Sequence, residues 1–307
     1  MFQGIAFEGG GMAGNGHIGA YKKLIGSGFK NLKGFVGSSA GSIVAALVSV
    51  RASPEWMETK MMNTDFSEFM DSSWNPLDNA KRVIQSYGWY KGDVFESWMA
   101  GCMQELTGKH DITFNEIYIR FGSTLIITKV DVLYPRCKLV VMDRNTTPDE
   151  PVYKAVRASC SIPYLFQAVL GTDGSSSMMN HVFVDGGILL NYPIELLYKY
   201  FSATDCIGVR LISISAANPG LVPADTIIVS EPITERPIQD HMEFIMSIAT
   251  TVREMSMQTK PVDANRTCSV FVNVGTTDFN ATKQQLQSDI TNGYTAMSKF
   301  LSMHMPN

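Results

Sequence analysis

Gly34-Phe35-Val36-Gly37-Ser38-Ser39-Ala40-Gly41-Ser42-Ile43-Val44-Ala45-Ala46-Leu47 reads as a strand, a sharp turn and a helix in immediate succession. Phe35 and Val36 favour a strand, Gly37 to Gly41 spell GxSxG, and the small apolar run from Ile43 onward suits a buried helix. The two glycines let the backbone turn hard around Ser39 with no Cβ in the way. Closer to the start, Gly4 to Phe7 is another short apolar run. It ends in Gly9-Gly10-Gly11, with Gly14 and Gly16 beyond. Ile18, Tyr21, Leu24 and Ile25 then recur at helical spacing, predicting a helix over 16–27. Two strand–loop–helix units in a row predict an α/β fold, a mainly parallel sheet covered by helices on both faces.

The rest of the chain extends that pattern. Residues 54–121 turn helical and rich in Met and aromatics, and read as a helical insertion on a single domain spanning 1–307. Strands are expected over 124–132 and 138–142, joined by Leu133-Tyr134-Pro135-Arg136. A short helix over 152–159 is broken by Pro163. A Gly/Ser loop at 171–177 leads into a strand at 182–185. Further strands fall at 206–214 and 269–274, and further helices at 238–259 and 282–301.

The chain has 307 residues, 45% apolar and 18% charged, which gives room for a real core and excludes wholesale disorder. A net charge of −4 without a polybasic run argues against nucleic acid as a partner and against strong attraction to anionic membranes. Five scattered cysteines with no CxxC pair suit reduced thiols better than a zinc cage or disulfide framework. The first residues lack a signal-peptide pattern. The longest apolar runs fall far short of the roughly 20 residues of a spanning helix. A cytoplasmic protein with at most peripheral membrane contact is expected.

The glycine loop also satisfies GxGxxG, so a dinucleotide site has to be weighed. Such a site needs an acidic residue roughly 20 positions on, yet none lies between Glu8 and Glu55. A phosphate loop would need Lys and Ser/Thr, which this loop lacks. A run of backbone N–H groups at a helix start remains, an anion trap that becomes an oxyanion hole beside a nucleophilic serine. The histidines (His17, His110, His181, His241, His304) show no relay or metal spacing; His17 and His181 stay as supporting candidates. Val184-Asp185-Gly186-Gly187 places a carboxylate at a strand end, and Asn191-Tyr192-Pro193 closes the segment. An ordinary Asp-Gly turn would look the same.

Taken in order, these elements resemble the patatin-like phospholipase family: a Gly-rich loop, GxSxG, an ASxSxP-type run (Ala158-Ser159-Cys160-Ser161-Ile162-Pro163) and DGGxxxNxP from Asp185 to Pro193. The resemblance implies a Ser–Asp dyad without histidine, with Ser39 as nucleophile and Asp185 as base. It implies an oxyanion hole at Gly9, Gly10 and Gly11, and loops or turns shaped by Gly14, Gly37, Gly41, Gly186 and Gly187. No metal and no cofactor are implied. The implied substrate is a lipid, phospholipid above all, cleaved through an acyl-enzyme after transient contact with a membrane surface. An aspartate of ordinary pKa, roughly 3.9, is a weak base, so Asp185 should be desolvated. Two departures stand out: Ala13 replaces the family's Arg or Lys, and Glu8 replaces its more usual Asp. Ala13 keeps open a degenerate, binding or regulatory use of the fold, and the glycine loop keeps open nucleotide binding.

Trp56, Met57, Met61, Met62, Phe66, Phe69, Met70 and Trp74 crowd one stretch of the insertion. A stripe at helical spacing is first of all a buried face; a mobile, lipid-contacting lid over Ser39 is the alternative. The interleaved Glu55, Glu58, Asp65, Glu68 and Asp71 would favour neutral over anionic lipid.

Overall fold

The computed structural model describes residues 2–132, 137–171, 181–213 and 261–304. The linker 133–136, most of the Gly/Ser loop and the helix expected at 238–259 lie outside these residues.

The elements are β1 (Gly4–Phe7), α1 (Asn15–Gly26), β2 (Gly34–Ser38), α2 (Ala40–Ser49), α3 (Pro54–Asn63), α4 (Pro76–Ser86), β3 (Gly88–Tyr90), α5 (Asp93–Thr107), α6 (Phe114–Phe121), β4 (Thr124–Asp131), β5 (Lys138–Met142), α7 (Val152–Ser159), β6 (Tyr164–Phe166), β7 (Val169–Gly171), β8 (His181–Asp185), α8 (Gly187–Leu190), β9 (Cys206–Ser213), α9 (Pro261–Ala264), β10 (Thr267–Val272) and α10 (Lys283–His304). The main sheet runs β10-β9-β1-β2-β4-β8-β7, with β5 also on β4. Its β10-to-β4 half is parallel, whereas β5, β8 and β7 are antiparallel. Segment 54–121 is not wholly helical, because β3 pairs in parallel with β6.

Strand alternation divides the core. Ile5, Phe7, Phe35, Leu125 and Ile127 point into the large core, together with side chains of α1, α2, α3, α5 and α10. Ala6, Val36, Ile126 and Cys206 point the other way, onto the 3-10 helix Ile194–Lys199. With side chains of strict period two, every residue of β1, β2 and β4 is buried on one face or the other.

The pairing around β4 positions the site. Ile127 and Thr128 pair with both β2 and β5, so those two strands occupy opposite edges of β4. Lys129 to Asp131 pair with both β5 and β8, which puts β8 on the same edge as β2. On that edge Ser38 pairs with Thr128 and Asp185 with Lys129. The carboxyl ends of β2 and β8 therefore meet head to head.

The Met/aromatic stripe packs inward. Met57, Met61, Phe66 and Phe69 are buried, and Trp56, Met62 and Met70 are half-buried against the same core. This corrects the lid reading for those residues, since a well-packed core gives them their neighbours. Trp74 alone of the group is fully exposed.

Candidate functional site

Ser39 lies between β2 and α2 with φ 50° and ψ −131°, a conformation costing a non-glycine residue about 1–3 kcal/mol. Close packing holds it there. A Cβ on Gly37 would stand 2.1 Å from the Gly41 carbonyl oxygen, and one on Gly41 would stand 2.2 Å from that of Phe7. The Ser39 amide donates to Ser159 Oγ at 3.0 Å, and Ser42 Oγ donates to the Ser39 carbonyl at 2.6 Å. The α2 N-terminus faces the same spot and favours negative charge there.

Ser39 Oγ donates to Asp185 Oδ2 at 2.6 Å across 146 positions of chain. Asp185 is only 5% exposed, and its Oδ1 accepts the Gly187 amide at 2.6 Å. Its own amide donates to the Ser161 carbonyl at 2.9 Å, and that of Gly186 to the Ser159 carbonyl at 3.2 Å. The run Ser159–Ser161 thus holds both partners at once. Sequence reasoning used it only as part of a motif, although three consecutive Oγ/Sγ side chains just before a proline were a visible signal. Ser38 is engaged differently: its Oγ accepts from Thr128 Oγ1 at 3.0 Å.

Two of the three loop glycines keep their amides open. The Gly9 amide donates to the Asn191 carbonyl at 3.0 Å, and that of Met12 to the Thr276 carbonyl at 3.0 Å. Among the described residues, the Gly10 and Gly11 amides have no acceptor. Gly9 is therefore occupied as a donor, and its smallness serves close approach, since a Cβ there would lie 2.2 Å from Asn191 Oδ1. Gly11 adopts φ +54° and abuts the Thr276 carbonyl. Glu8 anchors the loop from below. It is 1% exposed, accepts the Leu211 amide at 2.7 Å and Asn191 Nδ2 at 3.2 Å, and has Arg210 Nε at 3.5 Å. Glutamate in place of aspartate thus reaches β9. Ala13 is buried in the 3-10 turn Gly11–Gly14.

His17 is wholly buried and pairs through Nε2 with the Glu8 carbonyl at 2.7 Å. Burial drives its pKa down to about 4, outweighing that hydrogen bond, so it stays neutral at pH 7. His181 pairs through Nδ1 with Asp131 and stacks on Phe183. Cys160 adjoins Ser42, and burial, then the Asp185 carboxylate, push its thiol pKa far upward. It remains an uncharged thiol.

An apolar cavity of about 80 Å³ is lined by Ser39, Gly11, Met12, Ile43, Cys160 and the rings of Phe69, Phe95, Trp98 and Phe166. An acyl chain suits such a lining, and a charged or sugar-like ligand does not. No group of three or more candidate metal ligands occurs among the described residues, and no described helix is long and apolar enough to cross a membrane.

The model of the patatin-like phospholipases matches residues 5–198, a span that includes Gly9, Ser39, Ser159 and Asp185. The chain is 32% identical over 209 residues to the uncharacterized protein YqhO of Bacillus subtilis strain 168, covering 65% of this chain and 68% of that one. It is 35% identical over 169 residues to triacylglycerol lipase ptl3 of Schizosaccharomyces pombe, covering 53% of this chain and 33% of the lipase. VipD from Legionella pneumophila shares the fold, with a TM-score of 0.56 at 17% identity over 99% of this chain and 67% of that one. The chain belongs to the patatin-like phospholipase family, and with it to the lipid ester hydrolases.

Proposed function

We propose that the chain, as one domain, is a phospholipase A-type acyl hydrolase with Ser39 as nucleophile and Asp185 as general base. The 2.6 Å hydrogen bond between them, at the wall of an apolar cavity, carries this reading. Asp185 takes the hydroxyl proton as Ser39 Oγ attacks the ester carbonyl. The oxyanion turns to the Gly10 and Gly11 amides, donors already in place before charge develops. Collapse expels the lysolipid alcohol, which takes the proton back from Asp185, and leaves the acyl group on Ser39. Water, deprotonated by Asp185, then attacks the acyl carbonyl; the acyl–Ser39 bond breaks, Ser39 Oγ takes the proton back from Asp185, and the fatty acid is released. The family's description supports phospholipid; the yeast relative's printed name supports triacylglycerol as the competing substrate.

The test is hydrolysis over a lipid panel together with labelling by a serine-reactive phosphonate. Ser39→Ala and Asp185→Asn should fold normally and each lose on the order of 10³-fold or more in kcat, as expected when a nucleophile or base is removed. Ser38→Ala and Ser42→Ala should lose far less. Failure of the phosphonate to label Ser39, or Ser38→Ala as the inactive variant, would overturn the dyad. Cleavage of triacylglycerol but not phospholipid would overturn the head-group assignment alone.

A further inference from the structure

α4 leaves much of its apolar side in water. At about 100° per residue, Leu77, Ala80, Val83 and Ile84 form its apolar side and Asp78, Asn79, Arg82, Gln85 and Ser86 its polar side. An ordinary surface helix buries the first and wets the second. Here Ala80 and Val83 are half-buried and Asp78 and Gln85 exposed, as in such a helix, but Asn79 is buried, whereas Leu77 is 69% and Ile84 79% exposed. Polar contacts hold the helix down. Asn79 exchanges hydrogen bonds with the Ser73 backbone at 2.8 and 3.0 Å. Arg82 donates to Asn79 Oδ1 at 3.0 Å, to the Trp89 carbonyl at 2.7 Å and to Ser73 Oγ at 3.1 Å. Trp74 lies bare at one end of the apolar face, and Tyr87, half exposed, at the other.

We infer that this face, Trp74, Leu77 and Ile84, docks the protein on a phospholipid surface. The inference rests on the reading of the chain as a lipid hydrolase and names the surface through which its substrate is reached. Charge selects the occupant. Across 72–91 the charged residues are Asp78 against Lys81, Arg82 and Lys91, a cationic strip on a chain of net charge −4. Lys81 and Lys91 are exposed. Of the acids that flank the strip, Asp71 accepts the amides of Gly92, Asp93 and Val94 and Asp65 accepts from Ser67, while Glu68 and Asp93 are exposed at its two ends. Exposed apolar side chains with lysines beside them and aromatic rings at both ends match a bilayer, where phosphates overlie acyl chains. A protein groove would supply the apolar half of that match and no phosphate. The placement also suits entry of substrate, because Phe66 and Phe69, shortly before α4 in the chain, line the same cavity as Ser39.

Flotation with phosphatidylcholine vesicles, with and without phosphatidylserine, tests this directly. Ser39→Ala protein is used, so that binding is read without turnover. It should float with the vesicles, more so when phosphatidylserine is present. The triple variant Trp74→Ser/Leu77→Ser/Ile84→Ser should lose at least about tenfold in binding, while Ile119→Ser, an exposed apolar residue on α6, should not. In the active background the triple variant should cleave a short soluble ester within about twofold of the parent and cleave vesicles far more slowly. The inference is overturned if the parent does not float, if the triple variant floats as well as Ile119→Ser, or if sedimentation shows a parent dimer that the triple variant dissolves. An inactive parent on the soluble ester would instead overturn the proposed reaction and leave the flotation result standing.

Discussion

Residues 54–70 and 72–87 are neighbours in sequence, and both mix large apolar with charged side chains, yet they bury different kinds of side chain. In the first, Met57, Met61, Phe66 and Phe69 are driven into the core, and the last three wall the cavity. In the second, Asn79 is buried and Leu77 and Ile84 stand in water. Periodicity reports that a helix has two sides and is silent about which side faces in. The side is decided by what lies beneath. α3 lies over α1 and α10, whose core-facing side chains are apolar. Beneath α4 are the Ser73 backbone and the Trp89 carbonyl, which demand donors and acceptors, and Asn79 and Arg82 supply them. An unmade buried hydrogen bond costs about 1–3 kcal/mol, comparable to the gain from burying one leucine, about 1.5–3 kcal/mol.

The largest effect that would test this contrast comes from deleting apolar volume under α3. Met57 has no exposed surface, so Met57→Ala should cost about 2–5 kcal/mol through lost transfer energy and the cavity left behind. Chemical denaturation of Ser39→Ala and Ser39→Ala/Met57→Ala protein would measure it. A cost below about 1 kcal/mol would mean that the α3 stripe is less tightly packed than its burial implies.

His17 sharpens the comparison through pH. It lies on α1, on which α3 packs, and burial there lowers its pKa from 6.5 to about 4. The unfolded chain therefore binds this proton more readily than the folded one, so the contribution of neutral His17 is complete above pH 6.5. It falls away as pH drops from 6.5 toward 4. At about 1.4 kcal/mol per pH unit across that window, the loss reaches up to roughly 3 kcal/mol. His17→Gln, which can still donate to the Glu8 carbonyl, should flatten that part of the stability–pH curve. An unchanged slope would place the acid sensitivity on other groups. The polar network under α4, made by Asn79, Arg82 and Ser73, contains no histidine and no carboxylate, so α4 should follow the global transition without a pH response of its own.

How much of this was legible in the sequence depends on how local each cause is. The Ser39 turn could be read because Gly37 and Gly41 must be glycine there, and α7 matches the helix expected at 152–159 residue for residue. The three-residue strands β3, β6 and β7 went unseen, because three residues are too few to show alternation. The meeting of Ser39 with Asp185 rests on β2 and β8 sharing one edge of β4, and no local pattern encodes a shared edge. The family resemblance carried that pairing instead. Gly9 looked equivalent to Gly10 and Gly11 until the Asn191 carbonyl, far along the chain, took up its amide. The outward turn of α4 was hidden for the same reason: its hydrophobic pattern is that of a surface helix, and only its contacts show which side is wet.

The smallest expected effect discriminates best between the two helices. If the apolar face of α4 lies in water, Leu77→Ser/Ile84→Ser removes almost no burial, and surface changes of this kind fall within about 0.5 kcal/mol. Met57→Ala removes a side chain of similar bulk and should cost several times more. The unfolding midpoint of the double variant should therefore match the parent within about 1–2 °C. Adding phosphatidylcholine–phosphatidylserine vesicles should raise the parent's midpoint and leave that of the variant where it was, because only a ligand of the folded face stabilises it by mass action. A double variant that melts several degrees lower without vesicles would mean that the face is packed against protein. α4 would then obey the same rule as α3, and the contrast between the two helices would be lost.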